Sequence, residues 1–127
     1  MGKSKRKPLH FVGSSLRDLR ELPEPVQDVF GAALLDAQHG DHPIGARTFG
    51  EGLPREIVKL VDDFDGDTYR AAYTVSFREC VYVLHVFKKK SASGIRTPQP
   101  DLETIRARLK SAHRHHQETY ESAGERR

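Results

Sequence analysis

The sequence predicts an α+β domain with a helical hairpin and a C-terminal helix packed on an antiparallel β-sheet. Three observations predict it. Val26, Phe30, Ala33, Leu34 and Ala37 recur at helical spacing, residues 69–78 alternate apolar with polar, and Leu102, Ile105, Leu109 and Ala112 form a second helical stripe. A length of 127 residues suits one domain with one core. Its expected extent is 9–114, between a basic mobile tail (1–8) and a polar C-terminal extension (115–127) that frays.

Taken in order, His10, Phe11 and Val12 make a short first strand. Ser15 with Asp18 reads as a capping pair opening a helix to about Leu22. Pro23 interrupts it, Pro25 suits the first turn of a second helix, and Gly40 is a plausible stop. Residues 42–54, rich in Gly and Pro, read as a loop. Residues 55–64 are aliphatic and β-branched enough for a strand, and Asp65-Gly66-Asp67 is a strong turn signal. Tyr69, Ala71, Tyr73, Val75 and Phe77 then alternate with Arg70, Ala72, Thr74, Ser76 and Arg78, the mark of a half-buried strand. The next run, 80-CVYVLHVF-87, is apolar on both faces and fits a central strand. An even loop pairs Tyr73 with Leu84 and an odd one swaps the faces, so the sequence leaves open whether Lys88 or Lys89 shares a face with Arg70. Thr97-Pro98 reads as the capped start of the last helix.

Composition narrows the function classes. The net charge of +3 is mild, so overall charge does not argue for a nucleic-acid partner. Charge distribution says more: Lys88, Lys89, Lys90 and Arg96 fall in a stretch without acids, whereas 62-DDFDGD-67 holds four aspartates. The single cysteine, Cys80, fits a reducing compartment and reads as a small buried residue. No apolar run follows the basic N-terminus, so neither secretion nor membrane spanning is expected and the location expected is cytoplasmic. The aspartate loop fails as a calcium hand, because Thr68 and Thr74 stand where Gly and Glu are needed. His113, His115 and His116 lack partners at metal-ligand spacing. No phosphate-loop, hydrolase or paired-cysteine motif occurs, and no metal or cofactor is expected.

What remains is a set of cations on adjoining strands: Lys59, Arg70 and Lys88–Lys90. Neighbouring strands lie about 5 Å apart, so these residues can gather over a small area. Clustered like charges cost stability unless a polyanion is bound in use. The plainer alternative is that Lys59 and Arg70 pair with local aspartates while the lysines guard a sheet edge. His85, inside an apolar run, is on its own more often a core or rim histidine than a base. Were RNA the partner, an internal 2′-hydroxyl could attack the adjacent phosphate without metal or enzyme nucleophile. The protein would hold the hydroxyl in line, surround the phosphorane with cations and protonate the departing 5′-oxygen.

The segment 68-TYRAAYTVSFRECVYVLHVFKKKSASGIRTPQPDLETIRARLK-110 closely resembles the phage-derived branch of the RelE/HigB toxins, the small toxins of type II toxin–antitoxin systems. Carrying the resemblance are Tyr69-Arg70 with Tyr73, Leu84-His85 with Phe87 leading to Lys89-Lys90-Ser91, and Gly94-Ile95 with Thr97-Pro98; 52-GLPREIVKL-60 is similar to the preceding family strand. The resemblance spans roughly residues 8–112. It implies a RelE-like fold and metal-independent cleavage of mRNA on the ribosome, inhibited by a cognate antitoxin, usually a helix-turn-helix protein. It implies that Arg70 stabilises phosphate, that Lys59 contributes charge or proton transfer, and that Lys89 is the basic end of the next strand. Lys88, Lys90, Arg78, His85 and Arg96 are then the expected RNA-binding set. Two positions depart from the pattern: Ile57 stands where a second lysine is found, and no tyrosine matches the family's last-segment tyrosine, Tyr120 lying too far along. The alternatives are a non-nuclease RelE/ParE-fold binding protein acting on gyrase, and an inactive prophage regulator.

Overall fold

The structure, a computed structural model, describes residues 5–89 and 96–121. It is α+β. A five-stranded sheet runs β1 (Leu9–Phe11), β5 (Val81–Lys89), β4 (Asp67–Thr74), β3 (Ile57–Phe64) and β2 (Arg47–Thr48), with helices α1 (Ser15–Arg20), α2 (Glu24–Gln38) and α3 (Gln99–His116). The β3–β4–β5 meander is antiparallel, as its alternation and turn predict. The sheet as a whole is mixed, because β1 lies parallel to β5, with Phe11 beside Val83. α1 and α2 intervene between β1 and the meander and return the chain to the far side of the sheet, so β1 adds to it as a parallel edge strand.

The helices cover opposite faces. Val26, Phe30, Leu34 and Ala37 of α2 are buried with Val58, Leu60, Tyr69, Ala71, Tyr73, Val83 and Val86. Leu102, Ile105, Leu109 and Ala112 of α3 are buried with Ile57, Ala72, Tyr82, Leu84 and Phe87. Cover on both sides explains why β5 is apolar at consecutive positions.

One turn and one bulge set the registers. Asp65 and Gly66 have φ of 53° and 85°, the left-handed pair that closes a two-residue hairpin, so Phe64 faces Asp67 and Val61 faces Arg70. Between β4 and β5, Ala72 faces His85 but Tyr73 faces Val83, which leaves Leu84 as a bulge. Neither simple register applies. Arg70 faces Phe87, so Lys89 shares its side of the sheet, and Lys88, opposite Tyr69, does not.

Several local expectations shift. Ser14, not Ser15, precedes the first turn and donates to Asp18 Oδ2 at 2.7 Å, while Ser15 is buried and donates to the Val83 carbonyl. β4 stops at Thr74, and Phe77 packs on Tyr82 and His116 on the α3 side, where continued alternation would have put it with Tyr73. The basic tail is anchored earlier than expected: the Lys7 N–H donates to the Gln38 carbonyl, and the Val81 N–H to that of Pro8. The segment after residue 114, read as frayed, continues α3 to His116 and then forms a wider π-helical turn, Gln117–Glu121. Residues 1–4 and 122–127 lie outside the described residues. No helix among the described residues is long and apolar enough to cross a membrane.

Candidate functional site

α3 covers only part of its sheet face. At the uncovered β2–β3–β4 corner lies an open cleft of about 560 Å³, lined by Gly45, Arg47, Glu51, Lys59, Val61, Arg70 and Arg96. Four of these seven residues are cationic and one is acidic, so an anion is the complementary ligand. Strand geometry produces the clustering. Lys59 faces Arg47 across β2–β3, while Lys59 and Arg70 are diagonal neighbours on one face, opposite Ala72 and Val61.

Lys59 projects over the Phe49 ring, 5.3 Å from its centroid. Its ammonium pKa lies below the ordinary lysine value. Partial burial is the main cause, the Arg70 and Arg47 charges add to it, and Glu51 opposes it. A lysine in this state is better suited to proton transfer than one in open water.

Arg70 is buried, and its Nη1 donates to Thr97 Oγ1 at 2.8 Å. The Thr97 hydroxyl in turn donates to Glu51 Oε2 at 2.9 Å, and the Thr97 N–H donates to Glu51 Oε1 at 2.7 Å. Glu51 Oε2 also lies 3.6 Å from Arg70 Nη1. Thr97 therefore does not cap α3 with its side chain: the residue flanking the helix is Pro98, and the threonine hydroxyl relays between Arg70 and Glu51.

The structure brings Lys59, Arg70 and Arg96 into this cleft. Lys89 is buried on the same sheet face as Arg70 but is not among the lining residues. Three other expected residues fall elsewhere. Lys88 is exposed on the opposite face, 3.2 Å from Asp67 Oδ2, because the bulge at Leu84 fixes its side. Arg78 is exposed in the connection between β4 and β5, at the far end of the strands. His85 lies beneath α3, stacked on Phe87 with 4.7 Å between ring centroids. Its Nε2 is 2.7 Å from Asp101 Oδ1, and Arg108 Nη1 approaches Nδ1 at 3.5 Å. Lys90 and the 91–95 loop lie outside the described residues. The three histidines of α3 have separate partners: His113 meets Glu56, His115 meets Tyr82 and His116 meets Glu79.

Sequence reasoning missed Arg47 and Glu51. Both lie in the stretch read as loop, and a two-residue strand such as β2 leaves no periodic trace. The available signal was 50-GEG-52, an acid between two glycines, whose backbone φ angles of 74°, 55° and 85° are all left-handed.

Fold and site together define a class: a small α+β domain with a cationic cleft beside its last helix. Residues 17–110 match the family described as Phage derived protein Gp49-like (DUF891), and the chain belongs to that family. No curated protein and no solved structure matches it.

Proposed function

We propose that the protein is the toxin of a type II toxin–antitoxin system, a RelE-like, ribosome-dependent endoribonuclease that cleaves mRNA without a metal. The observation that carries this reading is the juxtaposition of Lys59, its pKa lowered, with Arg47, Arg70 and Arg96 in one cleft. Membership of a phage-derived family supports the same reading.

In this mechanism the scissile phosphate enters the cleft and the ribose 2′-hydroxyl attacks its phosphorus, its proton passing to solvent water. A 2′,3′-cyclic phosphate forms as the bond to the 5′-oxygen breaks. Arg47, Arg70 and Arg96 stabilise the charge that accumulates on the phosphorane oxygens. Lys59, protonated, donates to the departing 5′-oxygen, and its lowered pKa eases that transfer. DNA lacks the attacking hydroxyl and is not a substrate. The proposed partners are the programmed ribosome, which holds the mRNA in line, and a cognate antitoxin. The proposed location is the cytoplasm, where the ribosomes are.

The test is induction of the wild type and of Lys59→Met in a bacterial host, with RNA 5′ ends mapped genome-wide. Growth arrest with new 5′ ends inside translated frames, lost in Lys59→Met, supports the reading. Growth arrest with intact messages and inhibited gyrase overturns it in favour of a protein target.

A further inference from the structure

Glu51 is a carboxylate inside a cleft built for anions, and its backbone is unusual. Gly50, Glu51 and Gly52 all hold positive φ, and at 55° Glu51 adopts a conformation that side-chain-bearing residues rarely take. Such strain persists only where surrounding contacts enforce it. Here they are the two Thr97 hydrogen bonds, at 2.7 and 2.9 Å, and the Arg70 guanidinium at 3.6 Å. An N–H, an O–H and a guanidinium converging on two oxygens are also the donors a phosphate would use.

Glu51 has somewhere else to go. It stands in the wall between the main cleft and a second cavity of about 330 Å³, lined by Glu51, Arg96, Thr97, Gln99, Leu102 and Arg106. The exposed Arg106 lies on that far side, and its charge would receive a carboxylate that had left Thr97.

We propose that Glu51 is a displaceable internal anion: it holds Thr97 and Arg70 in place while the cleft is empty, and an incoming phosphate takes its position as the carboxylate turns toward Arg106. The inference rests on reading the cleft as a phosphate site and adds how that site is kept assembled and opened. The step is an exchange of ligands with no covalent change. Glu51 here is a positioning residue, acting through Thr97 and Arg70.

The experiment titrates inorganic phosphate into the whole protein and follows the Thr97 amide by nuclear magnetic resonance. In Glu51→Gln the site no longer holds a competing charge, and phosphate binds roughly tenfold tighter than to wild type, the order expected for one charge-assisted contact. Arg106→Ala shifts affinity the other way, a few-fold weaker, because the displaced carboxylate loses its landing charge. A purely structural clamp gives neither result: phosphate affinity equal or weaker in a folded Glu51→Gln overturns the proposal. If Glu51→Gln does not fold, Glu51→Gly, which takes positive φ without strain, makes the same comparison. Failure of both to fold also overturns it, since a group the fold requires cannot leave. Tighter phosphate binding in Glu51→Gln with no RNA cleavage by wild type would sustain the exchange and remove the nuclease reading. Cleavage by wild type with unchanged phosphate affinity would do the reverse.

Discussion

Lys59 and Arg70 point to the same side of the sheet from adjacent strands, two residues out of direct register. Their charges therefore oppose each other, and Arg70 is the leading charge among the causes that depress the Lys59 pKa, after burial. Replacing Arg70 by Met should raise the Lys59 pKa toward 10.5, its ordinary value. The sign for stability follows. With the folded pKa below the unfolded one, the unfolded state binds more protons between the two, so Lys59 adds stability as pH rises through that window and loses it below. Heteronuclear titration of the lysine side chains reads the pKa directly. An unchanged Lys59 in Arg70→Met would mean that burial alone sets it.

Neighbouring lysines on β5 offer an internal control for the proposed site. Lys89 shares the face of Arg70, whereas Lys88 stands on the other face with Asp67. Lys88→Ala should change ribosome-dependent cleavage by less than about twofold, since an exposed ion pair contributes little. Lys89→Met should reduce it by roughly tenfold or more, while Lys59→Met should cost on the order of a hundredfold. Rates on programmed ribosomes, with melting curves for each variant, make the comparison. Equal losses at Lys88 and Lys89 would show that total charge, and not the face, governs activity.

His85 gives a pH prediction with a defined sign. Burial is the main influence and lowers its pKa from 6.5; Asp101 pulls the other way and Arg108 adds to the lowering. A neutral ring fits both contacts, with Nε2–H donating to Asp101 and Nδ1 accepting from Arg108. The folded state then takes up this proton less readily than the unfolded chain, so stability falls as pH drops below about 6.5. His10, lowered by burial and by His115, acts in the same direction. Proton titration of the individual rings separates the two, and Asp101→Asn should lower the His85 midpoint further. A wild-type His85 midpoint above 6.5 would mean that the Asp101 contact outweighs burial.

Legibility in the sequence followed periodicity. The Asp-Gly turn sets every pairing of β3 with β4, which is why Lys59 and Arg70 could be placed near each other from spacing alone. The β4–β5 register could not be read, because the Leu84 bulge adds a residue that an apolar run of uniform character does not reveal. Thr97 looked like a helix cap because Thr-Pro has that form at a helix start. Only the fold shows that Glu51, distant in sequence, has taken its hydroxyl. Arg47 and Glu51 stayed hidden for a related reason: their side chains enter the cleft from backbone whose conformation glycines and one short pairing decide, and no hydrophobic pattern records that.

The end of the chain is where composition misleads most, and a truncation tests it. Residues 115–121 are polar, yet they close the sheet end around Phe77 and Tyr82. His116 is buried, 4.5 Å from the Phe77 ring between centroids, with Glu79 Oε1 at 2.6 Å and Glu121 Oε2 at 3.2 Å from its two nitrogens. The Tyr82 hydroxyl donates to His115 Nδ1 at 2.6 Å, and the Tyr120 hydroxyl donates to His10 Nε2 at 2.8 Å, linking the last turn to β1. Tyr120→Phe removes one such bond and should cost about 1 kcal/mol. Ending the chain after Arg114 strips cover from two core aromatics and leaves the Tyr82 hydroxyl without its acceptor, a loss on the order of 2–4 kcal/mol, or a Tm lower by roughly 10 °C. Calorimetry of the two variants beside the full chain gives the answer. A truncated protein that melts with the wild type would show the segment to be the frayed tail its composition suggests, and the contacts of His116 and Tyr120 to be energetically idle.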